Sequence, residues 1–232
     1  MEQNSDESAS NVLASFASIL RANSPQVVSK GTIIYYQGEA PRAGCFIKSG
    51  VVKVYNLSAD GEEQLINFHT ANDFLPTPWL FGYATGSIYF YEAFTDCELV
   101  KVPKDAFMDL LSKSKTASHT ILGQYIKNYI GSMMRITALE QPKAAAKIMY
   151  TFYFLTQRFG RPLANGMVRI GLQLTHQQFA HLVGLTRETT ATEIKRLQKA
   201  NIISYKTQTY AVDVDKLLKQ MGEEEFGDIT IE

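Results

Sequence analysis

The stretch LTHQQFAHLVGLTRETTATEIKRLQKANIISYKTQTYAVD, residues 174–213, decides how the chain reads. Thr175 followed three residues later by Gln178 forms a capping box, in which each side chain serves the other's backbone N–H at a helix start. The helix it opens is short, with Phe179, Leu182 and Val183 on its inner side and the small Ala180 where a second helix must cross. Gly184 permits a tight turn, and Thr186 caps a second helix whose apolar side is carried by Ile194 and Leu197. Ile202, Ile203 and Ser204, and then residues 209–212, read as the two strands of a wing. The spacing predicts a winged helix-turn-helix, whose second helix presents its N-terminal side chains outward while its apolar side stays on a core.

That second helix begins with Arg187, Glu188 and Thr189 and continues through Thr192, Lys195, Arg196 and Lys199. An arginine can pair with guanine O6 and N7 and a glutamate can accept from cytosine N4, so Arg187, Glu188 and Thr192 are the candidate base readers. Lys195, Lys199 and the wing's Lys206 are placed for phosphates, which fix position and not sequence. Thr175, His176 and Gln177 at the first helix start, and Thr186 and Thr189 at the second, complete the expected backbone contacts. Charge agrees. Residues 141–221 hold 12 Lys/Arg against 4 Asp/Glu, although the whole chain is neutral. A solvated charged helix face would give a similar count; caps, glycine turn, wing and basic surplus in this order weigh against it.

Upstream, TASHTILGQYIKNYIGSMMRITALE carries Leu122, Ile126, Tyr129, Met133 and Ile136 at alternating steps of four and three, the seam of two helices packed side by side. The seam predicts self-association, with packing on the chain's own barrel as the other reading; Ile130 and Met134 offer a second face for that barrel. Pro142 interrupts the helix, and residues 139–142 are the expected hinge. The following KAAAKIMYTFYFLTQRFG reads as a helix ending at Gly160. From Gln26 to about Val102 the period changes to short Val, Ile, Tyr and Phe-rich runs broken by glycines, with SADGEE as a hairpin turn in which Asp60 and Gly61 take positive φ. These runs predict a jelly-roll barrel. The fold class is α+β, with a leader at 1–11 expected to be disordered, a sensor barrel at 12–115, a dimerisation helix at 116–140, a winged helix-turn-helix at 141–221 and an acidic tail at 222–232.

At 232 residues the chain has room for two cores. It shows no apolar leader and no run of about eighteen apolar residues, so the cytoplasm is expected and no membrane contact. Cys45 and Cys97 stand alone and read as buried, inert thiols. A metal-dependent, cupin-like barrel enzyme would need an HxH cluster, whereas His69, His119, His176 and His181 are scattered, so no catalytic residue, no metal site and no enzymatic activity are expected.

The chain resembles the family of the cyclic-AMP receptor protein and the oxygen regulator FNR, most specifically in LTHQQFAHLVGLTRETT with its trailing KANIIS and in KGTIIYYQGEAPRAGCFIKSGVVKVYN. The resemblance implies a cyclic-nucleotide-binding-like barrel, a homodimer on a near-palindromic operator, and contact with RNA polymerase. It also implies that Arg187 and Glu188 read bases and that Lys195 meets the backbone. Thr192 departs from a third base-reading arginine, so a different half-site is expected, in which the threonine methyl touches a thymine methyl.

The sensor departs further. In DFLPTPWLFGYATGSIYFYEAF, Pro76 and Thr77 stand where cyclic-nucleotide binders of the family have Gly-Glu, and Ser87 and Ile88 replace Arg-Ser. No arginine lies between Arg42 and Arg135, and proline lacks an N–H donor, so cyclic AMP is not expected to bind. The iron-sulfur branch needs N-terminal cysteines, and residues 1–44 contain none. Phe74, Pro76, Thr77, Trp79, Phe81, Ser87, Tyr89 and, from the long helix, Tyr125 make a candidate effector pocket. Two readings stay open there: a site for an uncharged or apolar effector, haem with His69 among them, and a collapsed core in a vestigial sensor whose DNA binding needs no effector.

Overall fold

The computed structural model describes residues 11–222. All but one residue each of the leader (1–11) and acidic tail (222–232) therefore lie outside the described residues. By its contacts the chain divides into two compact units, one ending at Ile126 and the other beginning at Lys127.

In the first unit residues 11–15 are helical, and helix α1 (Ala17–Arg21) follows. Next come strands β1 (Gln26–Val28), β2 (Ile33–Tyr35), β3 (Gly44–Ser49), β4 (Val51–Leu57), β5 (Glu63–Thr70) and β6 (Phe74–Leu75). Helix α2 (Thr77–Leu80), strands β7 (Phe90–Ala93) and β8 (Cys97–Val102), and helix α3 (Lys104–Lys113) complete it, before the long helix α4 (Lys115–Glu140). The strands form two antiparallel four-stranded sheets, ordered β1-β8-β3-β6 and β2-β7-β4-β5, the β-rich domain that the short runs predict.

Alternation sets the faces. On β4, Val52 and Val54 are buried in a core shared with Cys45, Ile47, Leu75, Tyr91 and Leu99. Lys53 points the other way and its ammonium meets Glu63 at 2.5 Å and Glu92 at 3.2 Å on the flanking strands. A second core joins Phe16, Phe46, Phe74, Trp79 and Phe107 to Ala117 and Ile121 of α4. The turn after β4 departs from expectation: Gly61 alone takes positive φ (81°), and Asp60 does not. The loop closes by Gly61 N–H to Ser58 O (3.0 Å) and Ser58 N–H to Glu62 O (2.9 Å), which demands a single left-handed residue.

The second unit holds α5 (Ala144–Phe159), β9 (Gly160–Pro162), β10 (Val168–Gln173), α6 (His176–Val183), α7 (Arg187–Lys199), β11 (Ile203–Lys206), β12 (Thr209–Val212) and α8 (Val214–Met221). Helix α5 packs against β10, α7 and α8, and Phe152 centres the core with ring centroids 4.6 Å from Phe179 and 5.1 Å from Tyr210. The two wing strands expected at 202–212 are joined by β10 and β9 in a four-stranded sheet ordered β11-β12-β10-β9. The wing's tip is a tight turn with Thr207 and Gln208 both at positive φ (49° and 60°), a conformation usually signalled by Asn-Gly.

The 26-residue α4 spans about 39 Å. It ends where Pro142 interrupts it, and α5 starts afresh after Lys143. The border between the compact units nevertheless falls inside α4, at 126/127, and not at the expected hinge. The physical reason is that residues 127–140 pack on the second unit: Arg158 Nη2 bonds Asn128 Oδ1 at 2.5 Å, and Lys147 Nζ bonds Leu139 O at 2.7 Å. Ile130 and Met134, expected to face the barrel, are half-buried on that part of the helix, while Ala117, Ile121 and Tyr125 serve the barrel.

Gly184 sits at φ 64°, ψ 40°, with open space where a Cβ would be. Backbone strain is therefore the whole cost of a substitution. Gly184→Ala is expected to lower the opening free energy of α6 and α7, read by amide hydrogen exchange, by about 1–2 kcal/mol, and Gly184→Asn by less.

Candidate nucleic-acid interface

Both helix starts of the motif are built as the sequence predicts. Thr175 Oγ1 accepts from Gln178 N–H at 3.1 Å while Gln178 Oε1 accepts from Thr175 N–H at 3.0 Å. The Gly184 N–H closes α6 on Ala180 O. Thr186 Oγ1 then accepts from Thr189 N–H at 3.2 Å and starts α7.

From that start Arg187, Glu188 and Thr189 are exposed on the first turn, and Thr192, Lys195, Arg196 and Lys199 continue along the open face. Thr190, Ile194 and Leu197 are buried beneath them. The Thr192 hydroxyl donates to Glu188 O at 2.9 Å, so it is engaged with its own helix, and the methyl is the apolar group left at an exposed position. Arg196 pairs with Glu193 at 3.4 Å. Lys206, Thr207 and Gln208 at the wing tip are exposed, as is Gln177, whose amide lies 2.6 Å from His181 Nε2.

Two phosphate candidates are less open than expected. The Thr175 hydroxyl is committed to the capping box. His176 is half-buried, its Nε2 is buried without a hydrogen-bond partner, and its ring lies 4.8 Å from that of Tyr205 on β11. The fold thus uses His176 to join α6 to the wing. Sequence spacing gave no hint of this, because the two residues lie on separate elements and neither belongs to the motif's apolar pattern. Burial first, and then the charges of Arg187 and Lys195, hold the His176 pKa below its ordinary 6.5. A buried Arg135, 4% exposed, is the other residue the sequence reading passes over: its Nη1 donates to Leu182 O at the end of α6 at 2.9 Å. The signal was there, a lone arginine between two seam positions on the apolar helix.

In the sensor unit, the aromatic residues of the expected pocket divide between two hydrophobic cores. Phe74 and Trp79 belong to the core around Phe107, with Phe81 and Tyr125 packed against it, and Phe74 and Phe107 have centroids 5.3 Å apart. Tyr89 packs on the other core. The Ser87 hydroxyl donates to Tyr89 O at 2.7 Å and the Thr77 hydroxyl to Phe74 O at 3.1 Å. A cleft of about 490 Å³ lies elsewhere, lined by Tyr35, Tyr36, Glu39, Arg42, Cys45 and Lys101 among others, and by none of the eight expected pocket residues. Burial pushes the Cys45 thiol up to about 12 and raises that of Cys97 as well; both are free and buried. His69 Nδ1 is 3.0 Å from Asp73 Oδ2, and the same carboxylate takes Gln124 Nε2 on Oδ1 at 2.6 Å. Among the described residues no group of three or more His, Cys, Asp or Glu could hold a metal ion, and no helix is long and apolar enough to cross a membrane.

Residues 25–114 match the cyclic nucleotide-binding domain, and residues 146–220 match the Crp-like helix-turn-helix domain. The chain is 26% identical over 196 residues to the fumarate and nitrate reduction regulatory protein of Yersinia pestis, covering 84% of this chain and 77% of that one. It is 27% identical over 177 residues to the regulatory protein HlyX of Actinobacillus pleuropneumoniae, covering 76% and 72%. Its fold is that of a CRP-family transcriptional regulator from Thermus thermophilus, with a TM-score of 0.69 at 18% identity, covering 85% of this chain and 96% of that one. These similar proteins are regulators and not enzymes.

The state of His176 gives a pH test. As pH falls through about 6.5 the unfolded chain takes up a proton that the folded ring resists, so folding loses stability toward acid. His176→Phe keeps the stack on Tyr205 and removes the titration. The urea midpoint of the wild type is expected to fall more than that of the variant between about pH 7 and about pH 5.

Proposed function

The chain belongs to the CRP/FNR family of bacterial DNA-binding transcription regulators, and on that premise we propose that it works as a homodimer on a near-palindromic operator, with a sensor barrel that no longer holds a cyclic nucleotide. The observation that carries the DNA reading is the capped, exposed start of α7, which offers Arg187 and Glu188 to base edges with Thr192 one turn on. Lys195, Lys199 and Lys206, with the open N–H groups of the two helix starts, supply phosphate contacts.

The dimer reading rests on α4. Leu122, Ile126, Tyr129, Met133 and Ile136 are between 39% and 63% exposed, although burying what remains open of each aliphatic side chain would gain about 1 kcal/mol. A second copy of the helix is the partner that a heptad seam fits. Two-fold pairing would set two α7 helices on two half-sites, and hence favours a near-palindromic operator. Family membership supports RNA polymerase as a further partner and the cytoplasm as the place of action.

For the sensor, a phosphate would need donors, yet Pro76 has no N–H and the Thr77 and Ser87 hydroxyls are given to main-chain carbonyls. The residues present do not fit a cyclic nucleotide's anionic group. The absence of cysteine from residues 1–44 likewise disfavours an N-terminal iron-sulfur cluster. An effector-independent regulator with a vestigial sensor is the second reading, favoured by the packing of Phe74, Trp79 and Phe81 into the core.

Two measurements test these proposals. Ile126→Glu is expected to sediment as a monomer at micromolar concentration where the wild type is a dimer; a dimeric variant contradicts the seam. Calorimetry of the full chain with cyclic AMP is expected to show no micromolar binding, and a micromolar isotherm would return the phosphate site to the barrel.

A further inference from the structure

We propose that Arg135 is a positioning residue for operator recognition: from the long helix it holds the C-terminal end of α6 and so fixes the direction in which α7 is offered to DNA. The inference rests on the dimeric, operator-reading function proposed above. From a buried position on α4, Arg135 Nη1 donates to Leu182 O at 2.9 Å, a bond to the motif's main chain and not to a base-reading side chain. Leu182 lies in the last turn of α6, where carbonyls have no partner further along the helix and the helix dipole presents its negative end. The left-handed Gly184 and Leu185 both turn their N–H groups to Ala180 O, so the turn itself closes on a different carbonyl from the one the arginine takes.

Chemistry favours a geometric role over a stabilising one. Burial lowers the Arg135 pKa to about 10, which leaves the group charged at neutral pH and makes its place in the interior costly in desolvation. A buried guanidinium is planar, and its bonds have fixed directions, so it defines where its acceptor must be. The acceptor is two residues before Gly184, and Thr186, the cap of α7, comes two after it. A shift at Leu182 therefore reaches Arg187 and Glu188 across one short turn. Other links keep α4 on the second unit without Arg135, namely Arg158 to Asn128 and Lys147 to Leu139. Loss of Arg135 alone should loosen the motif while leaving the helix attached.

The test uses full-length protein and a duplex first selected by the wild type from a random pool, together with versions of it whose half-site spacing is changed by a single base pair. Arg135→Met is expected to remain a dimer by sedimentation and to keep wild-type affinity for unselected duplex. Its affinity for the selected duplex should fall roughly ten- to hundred-fold, and its penalty for altered spacing should flatten. Arg135→Lys, which keeps a charge and a donor, should restore part of both. If Arg135→Met keeps the wild-type affinity and spacing penalty, or loses unselected and selected binding alike, the positioning role is overturned. Should the methionine variant fail to fold, the lysine variant decides: a weakened spacing penalty supports the role and an unchanged one overturns it. A wild type that is monomeric or enriches no duplex would instead bring down the operator reading beneath the proposal.

Discussion

A continuous helix with two unlike faces is the constraint on which the rest depends. Over residues 115–140, α4 buries Ala117, Ile121, Arg135 and Ala138 on one side and leaves the five seam residues bare on the other. The buried side is fixed to its own chain by specific bonds. In the first unit the buried carboxylate of Asp73 takes Gln124 at 2.6 Å, with His69 and the Thr70 N–H (3.0 Å) on its other oxygen. In the second, Arg135 and Asn128 take up Leu182 O and Arg158. Polar locks of this kind add little net stability, but they set the rotation of the helix about its axis and hence which face is left open.

The legible parts of the fold are those written in local spacing. Thr175 with Gln178, Gly184 and Thr186 are close in sequence, and each acts on backbone within a turn of itself, so the motif could be read directly. The seam was legible because a helix repeats its contacts at fixed steps. Features that join distant residues were not. Tyr205 under His176 and Leu182 against Arg135 lie on elements separated by loops, and no periodicity links them. The wing's tip is illegible for a related reason, since Thr207 and Gln208 adopt left-handed backbone that their side chains do not advertise.

The aromatic run of residues 74–91 serves two cores. Phe74, Trp79 and Phe81 lie with Phe107 and α4, whereas Tyr89 and Tyr91 lie with Cys45 and Val54 in the other core. Neighbours in sequence, these rings are divided by the strands between two layers of packing. The cleft beside Tyr35, Arg42 and Lys101 has no signature in the sequence, because its lining comes from segments around residues 26–45 and from β8, with only isolated polar groups in each. Seam, motif and sensor thus differ in how far local chemistry reaches, and it reaches furthest at the helix-turn-helix.

The most direct test of the central claim is selection of binding sites from random duplex DNA by the intact protein at stated salt concentration. Two paired α7 helices predict enrichment of a near-palindrome whose half-sites are centred about one helical turn, or a multiple of it, apart. Enrichment of a single asymmetric half-site would contradict the dimer, and no enrichment at all would contradict sequence reading by Arg187, Glu188 and Thr192.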